Sequence, residues 1–150
     1  MSDMVKKASE QVHNILDQAV QSLISQGKLP EGDLPSYAVE IPADKTHGDF
    51  AANIAMVSAK AYRMAPRAIA QLLCDSVSLS DSYFESVEIA GPGFLNFRLS
   101  DNWYGKVLET VLCEGEAFGC SDEGHGEKVM VEFVSANPTG PMTIGNARGG

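Results

Sequence analysis

The run Phe84-Glu-Ser-Val-Glu-Ile-Ala-Gly-Pro-Gly-Phe-Leu-Asn-Phe-Arg-Leu99 decides the fold. Gly91-Pro92-Gly93 is turn material between two stretches rich in aromatic and branched residues, so it predicts two strands, Phe84 to Ala90 and Phe94 to Leu99. In the second strand the alternation is clean. Leu95, Phe97 and Leu99 point one way and call for a core; Phe94, Asn96 and Arg98 point the other. That second face carries a ring able to stack, an amide able to pair with a base edge and a guanidinium able to meet phosphate. Such a face suits single-stranded RNA. An ordinary half-buried edge strand carries the same pattern.

Outward from this hairpin, apolar spacing supplies the helices that a small sheet needs. From Met4 to about Gln26, Val5, Ala8, Val12, Ile15, Leu16, Ala19, Val20, Leu23 and Ile24 form one stripe, which Gly27 and Pro30 end. Tyr37 to Ile41 reads as a short strand bounded by Pro35 and Pro42. Asp49 is placed to cap a second helix beginning near Phe50, with His47 as a turn-stabilising or exposed side chain. Pro66 suits the first position of a third helix running to about Val77. A fourth helix is expected from Asp101 to about Glu114, with Asp101 as its cap. Its apolar residues, Trp103, Tyr104, Val107, Leu108, Val111 and Leu112, should dock on the sheet. The fold class is therefore α+β: a small antiparallel sheet packed with about four helices.

The totals narrow the function. The chain has 150 residues, 44% of them hydrophobic, and no apolar run approaches the roughly 18 residues of a membrane span, so a soluble chain is expected. Cys74, Cys113 and Cys120 are odd in number and widely spaced, which fits reduced thiols in a cytoplasmic protein and no metal site. A formal charge of −9 argues against a broad electrostatic grip on a polyanion such as DNA. A local patch survives that argument. Lys60, Arg63 and Arg67 cluster at the corner between the second and third helices, as phosphate contacts or as a solvated surface.

From Glu114 to Glu127 there are five acids, four glycines and no lysine or arginine, a solvated linker. It divides a first domain, 1–115, from a segment at 128–150, with 116–127 between them. In that last segment Val129 to Val134 reads as a strand, Asn137 to Pro141 as a sharp turn and Ile144 onward as the start of a helix. A strand feeding a glycine-rich turn is a common opening for a nucleotide site.

These residues resemble a known family. Glu132-Phe-Val-Ser-Ala-Asn-Pro-Thr-Gly-Pro141, followed by Thr143-Ile-Gly-Asn146, resembles the opening of the catalytic domain of arginyl-tRNA synthetases, class I enzymes with a His-Ile-Gly-His type signature. His47-Gly-Asp-Phe-Ala-Ala-Asn-Ile-Ala55, Ala65-Pro-Arg-Ala-Ile-Ala70 and Glu88-Ile-Ala-Gly-Pro-Gly-Phe-Leu-Asn-Phe97 are similar to the N-terminal appended domain of the same family, in the same order.

The resemblance implies activation of arginine by ATP, with Mg2+ accompanying the nucleotide and no tightly bound cofactor, then transfer to tRNA(Arg). It implies an N-terminal domain that meets the tRNA elbow near the D-loop, with Phe94 and Asn96 as contacts; Arg98, Lys60, Arg63 and Arg67 are added from charge and strand geometry. It places Glu132 and Asn137 around the arginine substrate, Gly140 and Gly145 close to ATP, and Thr143 and Asn146 where the two signature histidines stand. Asn146 keeps an N–H donor, whereas Thr143 offers only a shorter hydroxyl. The segment 128–150 would then be the truncated start of a Rossmann-like catalytic domain, and the 150 residues alone should be inactive. A non-catalytic RNA-binding module or an inactive synthetase paralogue is the alternative.

Overall fold

The computed structural model describes residues 3–32, 34–122, 124–134 and 139–147. The chain forms two compact units, residues 1–119 and 120–150.

The first unit opens on α1 (Asp3–Ser25), whose predicted stripe becomes one side of the core, with Ala8, Val12, Leu16 and Leu23 all at 0% exposure. Gly27, at φ 68°, ends it. The amides of Gly27 and Lys28 donate back to the carbonyls of Ile24 and Leu23, both at 2.9 Å, and Leu29 is tucked into the core beyond. The segment that follows is tied to α1 by Tyr37, whose hydroxyl donates to Asp17 Oδ1 at 2.8 Å and to the His13 carbonyl at 3.2 Å. Burial first, then the Asp17 contact, pushes that phenol well above its ordinary pKa.

Four strands follow: β1 (Val39–Glu40), β2 (Phe50–Ala52), β3 (Phe84–Ala90) and β4 (Phe94–Leu99). They form one antiparallel sheet in the order β1-β2-β4-β3. Between β2 and β3 run α2 (Ile54–Tyr62) and α3 (Pro66–Ser76), and α4 (Asp101–Glu114) follows β4. Phe97 has Phe50 and Val87 as its cross-strand partners and no exposure at all. Its ring packs edge-on to Phe84 at 5.5 Å, and Phe84 in turn to Phe50 at 5.8 Å. Ile54, Ile69 and Leu73 close the same core from α2 and α3.

Four sequence expectations are corrected. Asp49 does not cap a helix. The residues after it are β2, and Asp49 reaches across to β4, accepting from the Leu99 amide at 2.8 Å while its own amide donates to the Phe97 carbonyl at 2.8 Å. Alanine-rich Phe50–Ala52 looks helical by propensity, but pairing with Leu95, Asn96 and Phe97 overrides it. Gly48 makes this docking possible. At φ 88° it lies so near β4 that an added Cβ would stand 2.8 Å from the Phe97 carbonyl oxygen.

Asp101 does not cap α4 either. Ser100 holds that position, and its hydroxyl is engaged with the Tyr83 carbonyl at 3.0 Å. Nor does the whole apolar face of α4 dock. Trp103 packs against the core, while Tyr104, Leu108 and Leu112 are 50%, 66% and 83% exposed. Rows at 103/107/111 and 104/108/112 lie about 100° apart on a helix, and only the first is turned inward.

In the second unit Val129 to Val134 forms no strand. These residues pair with nothing described, and Val129, Met130, Val131 and Phe133 are between 64% and 95% exposed. Among the described residues of this unit one short helix, α5 (Ile144–Ala147), begins where the sequence predicts one.

Candidate functional site

The face of β4 that carries Phe94, Asn96 and Arg98 belongs to an interior strand, bonded to β2 on one side and β3 on the other, not to an edge strand. Two neighbours make such a strand stiff, so its side chains are held at fixed spacing. Phe94 is half-buried with Ala90 as its cross-strand partner. Asn96 is only 8% exposed, yet among the described residues its carboxamide has no hydrogen-bond partner. Its amide is not among the fully buried polar atoms, so it keeps contact with solvent and is open to a ligand.

The register adds residues that the alternation did not reveal. Asn96 lies between Ala51 and Glu88, and Ala51 is the partner of Glu40, so two carboxylates stand in its row of the sheet. Finding Glu40 from sequence needed β2, which reads as helix. Arg98 already has a partner. It donates from Nη2 to the Thr46 carbonyl at 2.9 Å, holding the 3-10 turn Lys45–His47 against this end of β4. His47 is exposed, and the Asp44 carboxylate caps the turn by accepting from the Thr46 amide and hydroxyl. Those two bonds hold the Asp44 carboxyl below its usual pKa.

At the other end of β4 the corner between α2 and α3 comes forward. Lys60 is in the last turn of α2, Arg63 takes its left-handed C-cap at φ 52°, and Arg67 follows Pro66 in α3. All three are exposed. The side chains of Lys60 and Arg63 make no hydrogen bond or ion pair among the described residues, whereas that of Arg67 donates to the Gly91 carbonyl at 3.2 Å.

In the second unit the structure brings Thr143 and Asn146 together. Asn146 Oδ1 accepts from the Thr143 amide at 3.0 Å and from its hydroxyl at 2.7 Å. Residue N3 thus reaches back to the residue preceding α5, as in a capping box. Since an amide N–H only donates, the oxygen of Asn146 must face Thr143, and its NH2 is left over as a donor. Glu132 is exposed, and Asn137 lies outside the described residues. An added Cβ would meet nothing within 4 Å at Gly140 and only ordinary contact, 3.5 Å to Thr143 Oγ1, at Gly145. Packing within the chain therefore does not demand glycine at either position. Among the described residues no group of three or more His, Cys, Asp or Glu could hold a metal ion, and no helix is long and apolar enough to cross a membrane.

A model of the arginyl tRNA synthetase N terminal domain family matches residues 10–99, which contain the whole sheet. The chain belongs to the arginyl-tRNA synthetase family. It is 45% identical over 150 residues to the arginine–tRNA ligase of Acetivibrio thermocellus, and 43% identical over the same length to that of Caldanaerobacter subterraneus subsp. tengcongensis. Each match takes in 100% of this chain and 27% of the relative, so the chain spans about a quarter of the length of these ligases. Among solved structures, the arginyl-tRNA synthetase of Plasmodium falciparum resembles it with a TM-score of 0.57 over 75% of this chain and 19% of that one. At 17% identity that likeness is one of fold alone. As an arginyl-tRNA synthetase family member, the chain has the α+β, antiparallel architecture expected from its hairpin and helical stripes.

Proposed function

We propose that these residues are the N-terminal part of an arginine–tRNA ligase, and that the unit at 1–119 is its contact with the elbow of tRNA(Arg). The observation that carries the RNA reading is Asn96: a carboxamide with no partner among the described residues, on a residue otherwise mostly buried, on the same face as Phe94 of an interior strand of the sheet. A base stacked on Phe94 would bring its edge to that amide. Lys60 and Arg63, whose charges are uncommitted, serve the phosphates, a local patch on an otherwise acidic chain. Phe94→Ala should weaken binding of tRNA(Arg) to this chain by about 1–3 kcal/mol, measured by titration. Equal affinity for the two proteins sinks the stacking role.

In the whole ligase, arginine and ATP are the further substrates, Mg2+ enters with the nucleotide, and the setting is the cytoplasm. Glu132 and Asn137 would receive the arginine guanidinium and its neighbours, a carboxylate being suited to two parallel N–H···O bonds. Gly140 and Gly145 leave room for ATP to approach the backbone. Asn146 donates from its NH2 to the phosphates while Thr143 fixes its orientation, which gives the pair one working donor where the family signature has two histidines. Activation needs the remainder of the nucleotide domain, so the 150 residues alone should not aminoacylate. The assignment of Asn146 predicts that Asn146→Ala in the whole ligase slows ATP–pyrophosphate exchange by about tenfold or more, as for a lost hydrogen bond to a charged group. An unchanged exchange rate removes Asn146 from the site.

A further inference from the structure

We propose that Arg67 is a positioning residue: together with Pro66 it braces the β3–β4 turn and so fixes the presentation of Phe94, and it does not serve as a phosphate contact. The inference rests on the tRNA-binding reading of the β4 face given above. Charge alone groups Arg67 with Lys60 and Arg63. Geometry separates it from them.

The turn Gly91-Pro92-Gly93 is held from two sides by the start of α3. Arg67 Nη1 donates to the Gly91 carbonyl at 3.2 Å, across 24 residues of sequence. Gly93, at φ 141°, lies against Pro66 so closely that an added Cβ would be 3.2 Å from its carbonyl carbon, its Cβ and its carbonyl oxygen. The Gly93 amide closes the turn on the Ala90 carbonyl at 3.1 Å. Phe94 is the next residue, and its partner on β3 is Ala90, whose methyl group offers a large ring little side-chain support. The turn and its brace therefore set where this ring stands. A hydrogen bond from a charged donor, combined with a left-handed-region glycine set tightly against Pro66, favours one turn conformation.

Titration of this chain with tRNA(Arg) over a range of salt concentrations tests the proposal. Arg67→Gln should bind about five- to tenfold more weakly with the slope of log K against log[salt] unchanged. In a Phe94→Ala background it should add less than about twofold, because residues acting through one another are not additive. Gly93→Ala, which disturbs the same turn from the other side, should show the same dependence on Phe94. A phosphate contact behaves differently: the slope would fall by about 0.7 to 0.9, and the loss would persist in full without Phe94. That result overturns the proposal, as does wild-type affinity for Arg67→Gln when Phe94→Ala binds weakly.

Phe94→Ala binding like wild type would instead remove the tRNA reading of this face. The brace is then decided by amide exchange at Gly93 and Phe94 in the free chain. Faster exchange in Arg67→Gln supports it, and unchanged exchange overturns it.

Discussion

Phe94–Leu99 and Val129–Val134 are both read as strands from sequence, and the molecule treats them in opposite ways. The first sits between β2 and β3 with Phe97 wholly enclosed; the second pairs with nothing described, and Phe133 is 70% exposed. Their compositions do not account for the difference, since aliphatic and aromatic residues make up most of both. What separates them is supply. β4 has β3 one short turn away and β2 within the same unit, whereas 129–134 has no described strand beside it. An apolar alternation states what a segment requires, and its neighbours decide whether the requirement is met.

The largest test of that contrast is Phe97→Ala. The ring touches Phe84, lies opposite Phe50 and Val87, and has no exposure, so its removal leaves a cavity at the centre of the sheet. Loss of about 3–5 kcal/mol in denaturant unfolding is expected. A loss below about 1 kcal/mol would mean that β4 is not the centre of the core and that its burial does not set it apart from 129–134.

The legible part of the molecule is the part whose partners are local. The stripe of α1 and its stop at Gly27 need only helical spacing and one left-handed residue, and both are found where the sequence places them. The hairpin needs only a glycine-proline-glycine turn. β2 was not legible because Phe50-Ala-Ala-Asn precedes a real helix and shares its composition; what makes it a strand is β4, more than forty residues later. The same distance conceals the role of Asp49, which reads as a cap and acts as a clamp on Leu99. At the candidate site, Phe94 and Asn96 could be picked out by alternation, but the engagement of Arg98 with Thr46 and of Arg67 with Gly91 could not. Charge marks a possible phosphate contact; only geometry reveals that a guanidinium already holds a carbonyl.

The smaller test asks whether the unmet requirement of 129–134 can be met. In the 150-residue chain Phe133→Ser should leave unfolding unchanged to within about 0.5 kcal/mol, as for an exposed residue. In the whole ligase, where the segment is proposed to enter the nucleotide-binding sheet, the same substitution should destabilise by about 2 kcal/mol or more, because Phe133 is then buried. Loss in both proteins would show that the segment already packs on something within these residues. Loss in neither would withdraw the strand reading and leave Glu132 without a rigid element to present it to arginine. Loss in the longer protein alone would show that the two segments differ in their neighbours and not in their capacity to pair.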